Sequence, residues 1–205
     1  MAISLVAIGA KVTAYIANLI ISVVNQQGYT QVIPTSVSGT GVTLGTYGKV
    51  SLLTATAPIV NGCFTSTYQS YVIEVEGVAA ANASWVFVFT ASGTPVTSNN
   101  YDYTELLGRN SAASSSTTTA QASWSILPSG VQQKFTIELA YPAVAQATTG
   151  MLRGSFHEAT PTASTNNGVV VKTLTHRLAT AYDGFRLTCS QNFTGTIRVY
   201  GVANN

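Results

Sequence analysis

YQSYVIEVEGV (residues 68–78) and SWVFVFTAS (84–92) are the two stretches on which the fold turns. In the first, Tyr71, Ile73 and Val75 alternate with Glu74 and Glu76. A two-residue period puts the apolar side chains on one face and the acids on the other, which is a strand lying on a core. In the second, Trp85, Phe87 and Phe89 share one face, and Val86 and Val88 share the opposite one. Both faces are apolar. This strand is therefore predicted to be covered twice, by the domain core and by a subunit contact.

Segments of the same character continue on both sides. VSLLTA (50–55) opens a strand. YDYTELL (101–107), QASWSIL (121–127), KFTIELAYPA (134–143), GMLRGSFHEA (150–159), VVVKTLTHRL (169–178), DGFRLTC (183–189) and GTIRVYGVA (195–203) follow. Phe135, Ile137, Leu139 and Tyr141 are predicted to share a face. The Asn61-Gly62 and Asp183-Gly184 pairs are turn dipeptides. Many short strands between turn signals predict a mainly β chain, an antiparallel β-sandwich of jelly-roll type.

The first 28 residues differ in texture. Leu5, Ile8, Val12, Ile16, Leu19 and Val23 recur at spacings of three and four, one face of a helix. A stripe this apolar needs protein partners, and copies of the same chain are the simplest ones. Lys11 sits inside the run, and nothing basic precedes it. Neither a signal peptide nor a membrane span is expected from that pattern. The organisation read from sequence is an N-terminal anchor and oligomerisation helix (1–28), an extended connector (29–48) and a β-sandwich domain (49–205).

Composition narrows the function. Hydrophobic residues make up 46% of the 205, but charged residues only 8%, against about 25% in ordinary soluble domains. A surface of hydroxyls and amides suits a subunit packed among many copies, because it avoids mutual repulsion. The formal net charge is +2, and the basic residues form no run. Nucleic-acid binding is not expected. Cys63 and Cys189 are too few for a disulfide framework or a metal cluster. They are expected to be free, buried thiols of a chain made in a reducing cytosol.

The sequence carries no catalytic signature. His157 and His176 stand apart from carboxylates and thiols at metal-ligand spacing, and both are expected at the surface or an edge. Glu74, Glu76 and Glu138 read as outward strand residues, and Asp183 as a turn residue. There is no GxSxG elbow, and GTGVTLG lacks the ending of a phosphate loop. No catalytic residue, metal or cofactor is expected. Two polar stretches, 108–121 and 160–168, read as exposed loops at the sheet ends, where binding is commonly placed. Arg109, Asn110, Ser114, Thr117, Asn166 and Asn167 are their candidate contact residues. Amide-rich loops and exposed tyrosines are suited to holding a sugar.

NGCFTSTYQSYVIEVEG (61–77) resembles the opening of a β module found near the C-termini of tail and other virion proteins of tailed bacteriophages. TAYDGFRLT (180–188) and FTGTIRVYGVAN (193–204) resemble its close, and the N-terminal stretch resembles the anchor of short proteins of this type. Gln69-Ser70 and Val202-Ala203 depart from the pattern. The resemblance implies a homotrimeric virion protein, assembled in the host cytoplasm, with other virion proteins as partners. The leading expectation is a tail-associated, minor tail or tail-fibre-type protein that displays its β domain to a host-surface receptor or glycan. A capsid decoration or head-fibre protein is the alternative, and a carbohydrate-active or membrane-anchored protein ranks below both. The shared motifs are structural, so no functional residue transfers with them.

Overall fold

A computed structural model describes residues 28–109, 112–126, 130–158 and 166–202. The anchor stripe Leu5, Ile8, Val12, Ile16, Leu19 and Val23 lies outside the described residues, as does Asn110. The described chain is built from antiparallel strands: β1 (Tyr29–Gln31), β2 (Ser36–Ser38), β3 (Val42–Leu44), β4 (Val50–Ala55), β5 (Ile59–Asn61), β6 (Ser70–Ala83), β7 (Trp85–Ala91), β8 (Thr94–Pro95), β9 (Tyr101–Arg109), β10 (Ala112–Gln121), β11 (Trp124–Ser125), β12 (Gly130–Ala140), β13 (Thr148–Glu158), β14 (Asn166–His176), β15 (Gly184–Cys189) and β16 (Phe193–Val202).

They form two sheets. A ten-stranded sheet runs β10-β9-β14-β13-β12-β6-β16-β4-β3, with β1 also paired to β16. A six-stranded sheet runs β11-β7-β15-β5-β2, with β8 paired to β7. The sheets meet through aromatic side chains. Trp85 of β7 stands edge-on to Phe135 of β12 at 5.8 Å and to Phe193 of β16 at 4.8 Å. Further along, Phe87 and Phe89 pack with Trp124, and Phe89 stacks on Tyr101 and Tyr182. Such contacts add to a hydrophobic term already large for rings of this size. The alternation read in β6 holds: Tyr71, Ile73 and Val75 are buried, while Glu74 and Glu76 face outward. Cys63 and Cys189 are free and buried, and burial raises both thiols above their ordinary value.

Four local readings change. Residues 29–48, expected as a connector, contribute β1, β2 and β3 to the two sheets. The hydroxyl-rich stretch 112–121, expected as a loop, is β10, paired with β9 in continuous register from Ala112 to Thr118. Its threonines are β-branched and it holds no Gly or Pro, so nothing in it opposes extended pairing. Tyr141 does not continue the face of Phe135, Ile137 and Leu139. It takes φ 60° just past β12 and is 39% exposed. His176 is not at the surface: it is fully buried among Phe89, Tyr101, Trp124 and Tyr182.

Candidate functional site

Each side chain of the ten-stranded sheet faces either the six-stranded sheet or outward, and cross-strand partners share a face. The register therefore lines residues from distant parts of the chain into rows. One outward row reads Asn167, His157, Gln132 and Val78, across β14, β13, β12 and β6. The next reads Gly108, Val169, Ser155, Lys134 and Glu76. Between these rows the outward face holds a groove of about 740 Å³.

Uncharged polar groups stand in the groove walls among glycine and valine surface. His157 Nδ1 lies 2.6 Å from Asn167 Oδ1. With the amide oxygen accepting, Nδ1 carries the proton and the neutral ring's acceptor is Nε2. Gln132 adds an amide, Ser155 a hydroxyl and Lys134 an ammonium. The Lys134 charge is met by Glu76 at 3.9 Å, and Glu76 is shared with Arg198 at 3.4 Å. Both ion pairs are well exposed, so they orient the groups more than they stabilise the fold. Val78 and Val169, 47% and 60% exposed, supply apolar surface to the groove. Leu106 and Val171, directly opposite each other, extend this apolar patch beyond it.

The groove floor is held from beneath. On the inward face the corresponding row is Arg109, Gly168, Phe156, Gln133 and Gly77. Phe156 lies over Gly168, where an added Cβ would fall 2.1 Å from its Cζ. The Arg109 guanidinium stacks on the same ring, 5.4 Å from its centroid. Gln133 is buried; it donates to the Gly130 carbonyl and accepts from the Trp85 indole. Gly168→Ala forces the ring aside and is expected to cost about 1–3 kcal/mol, read as a lowered thermal midpoint with the β-type circular dichroism retained.

Sequence reading and structure meet only in part here. Of the candidate residues, Asn167 lines the groove, and Arg109 lies under its floor next to Gly108. Asn166 is in β14, paired with Glu158 at the same end of the sheet. Ser114 and Thr117 sit on β10 beyond the groove, exposed and on opposite faces of the strand. Gln132, Lys134, Ser155 and His157 were not among the candidates. Their alternation was readable, but the register that gathers them was not.

Among the described residues, no three His, Cys, Asp or Glu side chains cluster so as to hold a metal ion. No described helix is long and apolar enough to cross a membrane. No family model and no curated protein matches the chain. Among solved structures, the catalytic domain of PdAgaC aligns at 9% identity over 87% of this chain and 77% of that one, with a TM-score of 0.23. The catalytic domain of an endo-1,3-beta-glucanase (laminarinase) from Thermotoga petrophila RKU-1 aligns at 10% identity over 82% and 77%, with a TM-score of 0.19. Likenesses of this size carry no inference about fold or activity.

Proposed function

We propose that this chain is a structural protein of a tailed-phage virion, a tail-associated, fibre-type subunit acting as a homotrimer. In this reading the N-terminal stripe gathers the copies and fixes them to the particle. The β-sandwich is displayed, and its groove contacts a glycan of the host surface without catalysis. The observation that carries the binding role is the groove lining. Two amides, a hydroxyl and an imidazole converge beside apolar valine surface, which matches the alternating hydroxyls and C–H faces of a sugar. The low charge of the chain and the resemblance of residues 61–77, 180–188 and 193–204 to phage virion modules support the setting.

The test has two arms. The first locates and counts the protein in purified particles. A few copies at the tail support the reading, and tens to hundreds on the head move the same architecture to capsid decoration. The second measures adsorption of the purified full chain to host cells. His157→Ala and Asn167→Ala are each expected to weaken it about tenfold, equivalent to roughly 1.4 kcal/mol, because each removes a hydrogen-bonding group from the groove wall. Unchanged adsorption by both variants removes the groove from the reading.

A further inference from the structure

We infer that the free edge of β10 pairs, antiparallel, with β10 of a second copy of this chain, so that two sandwiches share one continuous sheet about a two-fold axis. β10 ends the ten-stranded sheet, and among the described strands only β9 pairs with it. All of its residues are exposed except Thr118, which is half-buried, so both its faces and its outer edge are open. A row of unpaired N–H and C=O groups of this length is a template for strand addition.

Exposed edges in natural sheets are commonly blunted by charge, proline, bulges or shortness. The run 112–118 shows none of these. AASSSTTTAQ carries no charge and no proline. Its one irregularity falls at the far end, between Thr118 and Gln121, where Ala120 takes φ 55° and its N–H donates to Asp102 Oδ1 at 2.7 Å. The opposite edge, β3, has only three residues. An unguarded edge beside so short an opposite edge points to a partner at β10.

The strand's own sequence identifies that partner as a second copy. In antiparallel self-pairing about a two-fold through Ser116, Ser116 faces its own copy, the hydroxyl run meets itself and the alanines lie towards the ends. Cross-strand Ser and Thr pairs hydrogen-bond, and no like charges are brought opposite each other. The same hydroxyl pairing already operates on the inner side of β10, where Thr117 Oγ1 lies 3.3 Å from Thr104 Oγ1. This contact is independent of the virion reading. If three copies also bundle through the N-terminal stripe, β10 links bundle to bundle, and the paired unit is still two chains.

The test is a cysteine scan in the full chain. Ser114→Cys, Ser115→Cys, Ser116→Cys and Thr117→Cys are each oxidised mildly and run under non-reducing denaturing conditions. Cys63 and Cys189 are buried and stay out of the reaction. One scan position is expected to convert more than half of the chain to covalent dimer, with yields falling on either side of it. Thr43→Cys, exposed on the opposite edge, is expected to stay monomeric. Equal yields at all five positions, or none, overturn the proposal. In parallel, Ser116→Lys sets like charges across the seam and is expected to halve the mass from light scattering, with circular dichroism unchanged. An unchanged mass in a folded Ser116→Lys variant also overturns it.

Discussion

Glu105→Ala is expected to cost about 3–5 kcal/mol of folding free energy, among the largest effects of any single substitution outside the aromatic core. Lys172 and Glu105 face each other directly across β14 and β9. The Lys172 side chain is only 1% exposed, and its Nζ lies 2.6 Å from Glu105 Oε2. It also donates to the Ser125 carbonyl at 2.7 Å and sits 4.6 Å from the centre of the Tyr103 ring. The ammonium thus has a counter-ion, a carbonyl and a ring face. Removing the carboxylate leaves a buried charge that those two neutral groups do not compensate. Glu105→Gln keeps the shape and loses the charge, so it is expected to recover only a minor part of the loss. The double variant Lys172→Met, Glu105→Leu replaces the pair with apolar volume and is expected to regain most of the stability. Denaturant unfolding at neutral pH measures all three. A loss below about 1 kcal/mol for Glu105→Ala would falsify this account, since that is the value of a solvated surface pair.

Acid is expected to weaken the fold through His176. Its Nδ1 lies 2.8 Å from the Tyr182 hydroxyl, and its Nε2 is buried with no hydrogen-bond partner. The ring is walled by Phe89, Tyr101 and Trp124. Burial lowers its pKa from 6.5 to about 4, with Arg177 pushing the same way and Asp102 opposing. Between those values the unfolded chain binds a proton that the folded chain refuses. Stability from this group is therefore whole above about pH 6.5, falls as the pH drops, and levels off below about pH 4. The loss across that window is on the order of 3 kcal/mol. His176→Phe keeps a ring in the cluster and removes the titration. The check is the thermal midpoint measured from pH 7 to pH 4 for both proteins. The wild type is expected to lose more than the variant, and parallel curves would show that His176 takes up its proton at the same pH in the folded and unfolded chains.

The strands were largely legible, because alternation is a local property. Tyr71, Ile73 and Val75 declare their face without reference to any other segment. His176 was not legible, because its fate depends on Phe89, Trp124 and Tyr182 arriving from elsewhere. A histidine between threonine and arginine looks like a surface residue until the opposite sheet is in place. The same holds for β10. Serine and threonine in a row read as a loop when weighed by polarity, yet β9 offers a register that holds them extended. The groove was hidden for a related reason. Asn167 was legible as a candidate, but Gln132 and His157 are unremarkable singly, and only cross-strand pairing makes the three neighbours. The N-terminal stripe stays a sequence-based expectation.

The place of β16 has a consequence for synthesis. This strand lies inside the ten-stranded sheet, with β6 on one side and β4 and β1 on the other. Its partners leave the ribosome more than a hundred residues earlier, by the positions of β4 and β6 in the chain. Until translation passes Val202, those strands wait with open edges, and the closure that joins them is among the slowest kinds of contact to form. The sheet is closed between β6 and β4 by a late arrival. A chain cut short before residue 193 leaves the facing edges of β4 and β6 unpaired and is expected not to complete the ten-stranded sheet.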